Sequence, residues 1–383
     1  MAKLVAECGI GSTGRCVTPA VRYAVIGAGI AGLTIAYELA TAGAAVDVYA
    51  DPGSPSTSLV AAGMLAPGAE VTYGETGMAE LQREAGEYWK EYYARLESES
   101  GRDLLYEVRT SLFVACSRGD LDELHRMAAY QRDLGFEPHL LDGSELMRLE
   151  PQLAPRLAGG LQIAADAQVD NRAAVSALIS ILAKRGVPVH PVKVRLTGRS
   201  GEIDVAGDLR GYEAVIVAAG SYTGDLLANR KLIQPLKGVA IRVVAAPEYL
   251  PANCIRGEVF GRKVYIVPRA NGEIVIGATV EEASLEESLP RIRDVVDLLA
   301  DGTAILPALR DAEISDITAG FRPQTVDNIP LVGRIADKLY IHSGHYRHGI
   351  LLAPLTAKLL SANLLFGEES PWISFCSPSR IAG

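Results

Sequence analysis

Three glycines at fixed spacing are the residues here whose types most plainly suggest chemistry: Gly27, Gly29 and Gly32, in Gly27-Ala28-Gly29-Ile30-Ala31-Gly32. The first permits a tight strand-to-helix turn, the second lets backbone approach a pyrophosphate, and the third allows close helix–strand packing. A helix opening at Ile30 offers unpaired N–H groups and the positive end of its dipole to the phosphates. The chemistry is therefore dinucleotide binding. Its usual partner, an acid closing the second strand, is displaced: Ala50 stands at that position and Asp51 follows. Either Asp51 reaches the ribose from a shifted register, or backbone and water hold it. Loss of the acid as a sign of a phosphorylated ribose lacks a matching arginine.

The elements that must position these glycines are legible around them. Tyr23–Ile26 is a short apolar strand, Ile30–Ala42 a helix with Ile30, Leu33, Tyr37 and Ala40 on one face, and Val46–Tyr49 the next strand. Residues 54–68 form a loop. Helices are expected around 78–98, 121–134, 171–184, 291–299 and 350–365. Strands are expected at 187–196, 202–205, 212–219, 241–244, 263–267, 273–277 and 339–342. The order gives an α/β chain, α+β overall. A discontinuous Rossmann-like domain (22–80, 155–235 and 315–375) carries an inserted domain (81–154 and 236–314) built on an antiparallel sheet. Residues 1–21 form an N-terminal extension.

Composition limits the partners. The chain has 383 residues, 49% hydrophobic and 22% charged, with a net charge of −9. That acidity argues against nucleic acid, which needs a basic surface. No apolar run of bilayer-spanning length and no signal peptide is evident, so no membrane partner is expected. Cys8, Cys16, Cys116, Cys254 and Cys376 are scattered and odd in number, as free thiols in a reducing cytoplasm would be. The six histidines show no HxxxH or HxH pair, and no metal is expected.

Further segments say which dinucleotide. They are Ser58–Pro67, with Ala62-Gly63-Met64 inside it; Val264-Tyr265-Ile266-Val267-Pro268-Arg269, leading to Ile276–Thr279; Ala319-Gly320-Phe321-Arg322-Pro323; Asp327–Gly333; and Gly344-His345-Tyr346-Arg347-His348-Gly349-Ile350-Leu351. In order and spacing the chain resembles glycine oxidases of the thiamine-pathway type, in the D-amino-acid oxidase superfamily, over roughly residues 22–370. The resemblance implies FAD, a substrate domain roofing the flavin, and hydride transfer from a small amine-bearing acid, with dioxygen as the final acceptor. It places FAD against Gly27, Ala28, Gly29, Ile30, Ala31, Gly32, Asp51, Ser58, Ala62, Gly63, Met64, position 193 (Lys193), Ala219, Gly220, Arg322 and the run from His345 to Leu351.

The same resemblance makes Arg322 the clamp for the substrate carboxylate and Tyr265 its second donor. A guanidinium is a planar, two-pronged carboxylate partner, which suits that role. Arg347 matches another active-site arginine: a second anion contact, an entrance gate or flavin electrostatics. His345 and His348 are expected to orient or pack rather than act as bases, and Arg269 to be structural. No cysteine stands near Ala319–Arg322, so FAD is expected to be held non-covalently. Thr318, Phe260 and Lys263 depart from the glycine-oxidase pattern, which opens the pocket size and admits an N-substituted glycine. The alternative is a biosynthetic oxidase that cleaves an N-carboxymethyl amino acid to a free amino acid and glyoxylate. A nicotinamide dehydrogenase explains the glycines but leaves Arg322, Tyr265 and the Gly344–Leu351 segment without a role. Relatives of this type imply a homo-oligomer.

Overall fold

A computed structural model describes residues 21–164, 166–196 and 211–381. Residues 1–20 of the extension expected at 1–21, and the strand expected at 202–205, lie outside these residues.

Two large sheets carry the molecule. In the first, of six strands, the order is Leu331–Ala336, Leu339–Ser343, Ala214–Val217, Arg22–Ile26, Ala45–Tyr49 and Val189–His190. The last five are parallel, and Leu331–Ala336 adds an antiparallel edge. Ala24, Val25, Val48, Ile216 and Val217 are fully buried, as strands covered on both faces must be. The helix Ile30–Thr41 lies on this sheet, and the last long helix, Gly349–Phe366, packs against it. Tyr346–Phe366 is long and apolar enough to cross a bilayer by length and composition, contrary to expectation; here its Leu351, Leu352, Leu355 and Leu360 belong to the core.

The second sheet has nine strands, mostly antiparallel. Its centre is Gln234–Val244, hydrogen-bonded along its length to Glu313–Gln324 and on its other side to Glu273–Gly277. Arg262–Pro268 and Cys254–Val259 continue it. Both Gly159–Ile163 and Glu313–Gln324 are paired within this sheet, although the expected boundaries put them with the nucleotide-binding segments. The strand expected at 187–196 is only Val189–His190. The helix expected at 121–134 starts earlier, at Arg118, because Ser117 and Asp120 close a reciprocal capping box there.

Two devices fix the last long helix. Pro354 lies inside it and has no N–H, so the Ile350 carbonyl loses its helical donor. The indole N–H of buried Trp89, from the helix Thr76–Ser100, donates to that oxygen at 3.1 Å and to the Leu351 oxygen at 3.0 Å. The start of the helix, and the Gly344–Leu351 segment before it, are thereby tied to a second element.

Candidate active site

A single cavity of about 1180 Å³ runs from the Gly27–Gly32 turn to the face of the nine-stranded sheet. Of the expected contact residues, all but Gly32 line it. Gly32 acts by packing: a Cβ there would overlap the Gly27 carbonyl. Gly27 has φ +119°, and a Cβ on it would overlap the Ala218 carbonyl. Gly29 is different, since a Cβ there meets nothing nearer than Ser58 Oγ at 3.2 Å. Gly29 lines the cavity, and a Cβ there would touch side-chain hydroxyls and no backbone.

The cradle fits a pyrophosphate. The helix Ile30–Thr41 has no side-chain cap from Gly29 and no acid in its first turn. Ser58 Oγ accepts the Ile30 N–H at 2.9 Å, and Ser56 Oγ, at the same turn, is buried without a partner. Asp51 lines the cavity, but its carboxylate turns onto its own loop. It accepts the Gly53 N–H at 2.9 Å and the Ser54 hydroxyl at 3.0 Å, with Lys193 Nζ 3.4 Å away. The Gly53 amide, more than any other group, holds its carboxyl below the usual range.

The loop Ser58–Pro67 is pinned from beneath by two buried arginines. Arg269 donates to the Val169 oxygen at 2.7 Å, the Ala62 oxygen at 3.0 Å, Asn171 Oδ1 at 3.1 Å and Glu273 at 2.9 Å. That engagement makes it structural. Arg242 donates to the Ala61 oxygen and Asn171 Oδ1, each at 3.1 Å, and pairs with Glu273. Arg242 had no sequence signal beyond a charged residue in an apolar run, and Asn171 none beyond its place at the start of a helix.

At the far end stand Tyr265 and Arg322. The Arg322 guanidinium lies across Gly238, where a side chain would displace it. One of its nitrogens donates to the Thr279 oxygen at 2.9 Å. It has no acidic partner among the described residues, unlike Arg242, Arg256 and Arg269. Burial raises the Tyr265 phenol above its ordinary value against the opposing pull of Arg322, so it is a neutral O–H donor. Thr57 and Ser221 both donate to the Phe321 oxygen, at 2.8 and 2.7 Å, and fix the strand that carries Arg322.

Arg347 is exposed, lines the cavity, and lies over the Tyr346 ring at 4.8 Å. Buried His348 meets Gln82 Nε2 at 3.2 Å through its Nε2, and burial lowers its pKa to about 4. A neutral ring there orients; it does not carry charge. Lys263 lines the cavity, but Phe260 does not: it is 92% exposed at the tip of the hairpin between Val259 and Arg262. Thr318 is not among the lining residues either, and its hydroxyl is buried without a partner. Of the three departures in sequence, only Lys263 shapes the cavity.

Sequence reasoning missed the Glu70–Arg256 ion pair in the cavity wall. Burial alone would raise the Glu70 carboxyl, but the Arg256 guanidinium beside it, with Arg347, brings it down to about 2. Arg256 also donates to Met64 Sδ at 3.0 Å. The pair joins a loop to a strand 186 positions away, which no local pattern announces.

Comparison with known proteins agrees with this geometry. Residues 22–363 match the family model described as FAD dependent oxidoreductase. A glycine oxidase from Bacillus licheniformis is 30% identical over 376 residues, covering 93% of this chain and 96% of that protein. The bifunctional protein ThiO/ThiG from Nostoc sp. is 30% identical over 93% of this chain, but the chain spans only 54% of its length. The crystal structure of glycine oxidase from Geobacillus kaustophilus superposes with a TM-score of 0.84 at 28% identity, covering 93% of this chain and 98% of that one.

Proposed function

The chain belongs to the FAD-dependent oxidoreductase family, and from that premise we propose that it oxidatively deaminates glycine or an N-substituted glycine. The products are glyoxylate, ammonia or the free amine, and hydrogen peroxide, with water consumed in opening the imine. The likeness to glycine oxidases supports an amine substrate of this size. The carrying observation is Arg322: a guanidinium beside Tyr265, in the cavity that begins at the cradle, with no acidic partner among the described residues.

The residues of this chain do the binding and orienting. Gly27–Ala31, Ser56 and Ser58 would hold the pyrophosphate of FAD, and the His345–Leu351 segment would face its other end. Bound there, FAD supplies the two-electron acceptor for the substrate C–H bond and returns the electrons to dioxygen. Arg322 takes the substrate carboxylate as a charge-assisted pair, and the neutral Tyr265 hydroxyl donates to the same group. With the carboxylate fixed, the α-carbon has one orientation in the cavity. Hydride departure needs a neutral amine. The ammonium proton therefore leaves to water before the C–H bond breaks.

Dissociable FAD, a cytoplasmic setting and a homo-oligomer complete the proposal. Cys116, Cys254 and Cys376 are free thiols, in keeping with a reducing compartment. The test is stoichiometry: glycine or sarcosine should yield glyoxylate and peroxide one to one. Peroxide without glyoxylate would reject a glycine-type substrate.

A further inference from the structure

Three buried side chains at the end of the chain are not used by the proposed reaction: His342, His345 and Thr356, exposed by 0, 3 and 1%. They form a row. His342 Nδ1 lies 3.0 Å from the Ala31 carbonyl oxygen, in the first turn of the cradle helix. A carbonyl only accepts, so Nδ1 carries the proton. Burial brings His342 down to about 4, which leaves the ring neutral and its Nε2 bare at neutral pH. That nitrogen lies 2.8 Å from Thr356 Oγ1, so the hydroxyl donates to it. The hydroxyl oxygen then has a lone pair for His345 Nε2, 3.1 Å away, which must donate. Burial also keeps His345 neutral, with His342 and His348 adding to the effect.

Two rivals exist. Thr356 Oγ1 lies 2.9 Å from the Leu352 oxygen and 3.3 Å from the Ala353 oxygen, the ordinary back-bonds of a helical threonine. If the single hydroxyl proton went to either, the bare His342 Nε2 would face a lone pair in a buried site. An unmade buried hydrogen bond is the costlier arrangement.

We infer that the Ala31 carbonyl, His342 and Thr356 form a directional relay that holds His345 as its Nε2–H tautomer and presents a bare Nδ1 acceptor to FAD in the cavity. His345 lines that cavity, and its Nδ1 has no partner among the described residues. The flavin's N–H and ribityl hydroxyl groups are the class of donor it suits. His342 and Thr356 are positioning residues, and the relay links the two ends of the chain that surround the cofactor. The inference rests on the FAD site and not on which amine is oxidised.

The test is nitrogen-15 spectroscopy of histidine-labelled holoenzyme, with signals assigned by single substitutions to Gln. The wild-type protein should carry protons on His342 Nδ1 and His345 Nε2. Thr356→Val should convert His345 to a mixture of tautomers and weaken FAD binding about tenfold, the loss of one hydrogen bond. Thr356→Ser should restore both. A wild-type spectrum with the proton on His345 Nδ1 or His342 Nε2 would overturn the relay, whether or not the valine variant folds. So would a folded valine variant with unchanged tautomer and FAD affinity. An unreactive holoenzyme with the expected tautomers would sink the amine-oxidase reading and leave the relay standing.

Discussion

Two glycines of one motif separate cofactor from fold. A Cβ at Gly27 overlaps protein backbone, while one at Gly29 meets only the Ser58 and Ser56 hydroxyls at the cavity wall. Gly29→Val should therefore leave a folded protein that purifies without flavin, whereas Gly27→Val should lower Tm as well; absorbance at 450 nm and a melting curve distinguish them. The spacing in sequence predicted those separate jobs, and Gly32 proved to serve packing alone. Ala50 and Asp51 were less legible, because the direction a carboxylate takes depends on the loop around it. Asp166 is a residue that no motif marked. It accepts the Gly68 N–H at 3.1 Å, and burial raises its carboxyl from 3.8 to about 6. The folded chain thus binds that proton more tightly than the unfolded chain, and stability falls as pH rises from 3.8 towards 6. Asp166→Asn removes the penalty. At pH 8 it should stabilise by about 1–3 kcal/mol, with the gain vanishing below pH 4, as read by denaturant unfolding.

Helices and strands with strong periodicity were readable along most of the chain. Asn171–Lys184 was expected within the bounds it has, since Asp170 caps it and its apolar face repeats cleanly. The strand at 187–196 was not, because a run of alternating valines is cut short where Pro191 supplies no ladder N–H. Cross-chain ties were illegible for a different reason: the partners are far apart in sequence. Trp89 and Pro354 are such a pair. Trp89→Phe keeps the ring but leaves the Ile350 oxygen, deprived by Pro354 of its helical donor, without the indole N–H. Such an unpaired buried acceptor costs about 1–3 kcal/mol. Urea unfolding should show a loss in that range; an unchanged midpoint would mean that water or a shifted helix satisfies the carbonyl.

At the scale of the molecule, one sheet supplies the cradle and the other the clamp, and the cavity joins them. The parallel sheet follows from its βαβ signature, and the antiparallel roof from the run of short strands after residue 234. The site was legible where motifs carry it, at Gly27–Gly32, Tyr265, Arg322 and Gly344–Leu351. The Glu70–Arg256 pair and the Arg242–Asn171–Arg269 support were hidden, since only the fold brings them together. The central claim is that Arg322 orients a glycine-type amine for two-electron oxidation. Anaerobic mixing of the purified holoenzyme with glycine, sarcosine or N-carboxymethyl amino acids tests it most directly. The account predicts bleaching of the 450 nm flavin band by at least one of them. In Arg322→Ala, which keeps its FAD, the substrate concentration needed should rise by a factor equivalent to about 2–5 kcal/mol. A flavin that stays oxidised with every one of these amines, or an Arg322→Ala variant that bleaches as readily as the parent, would contradict it.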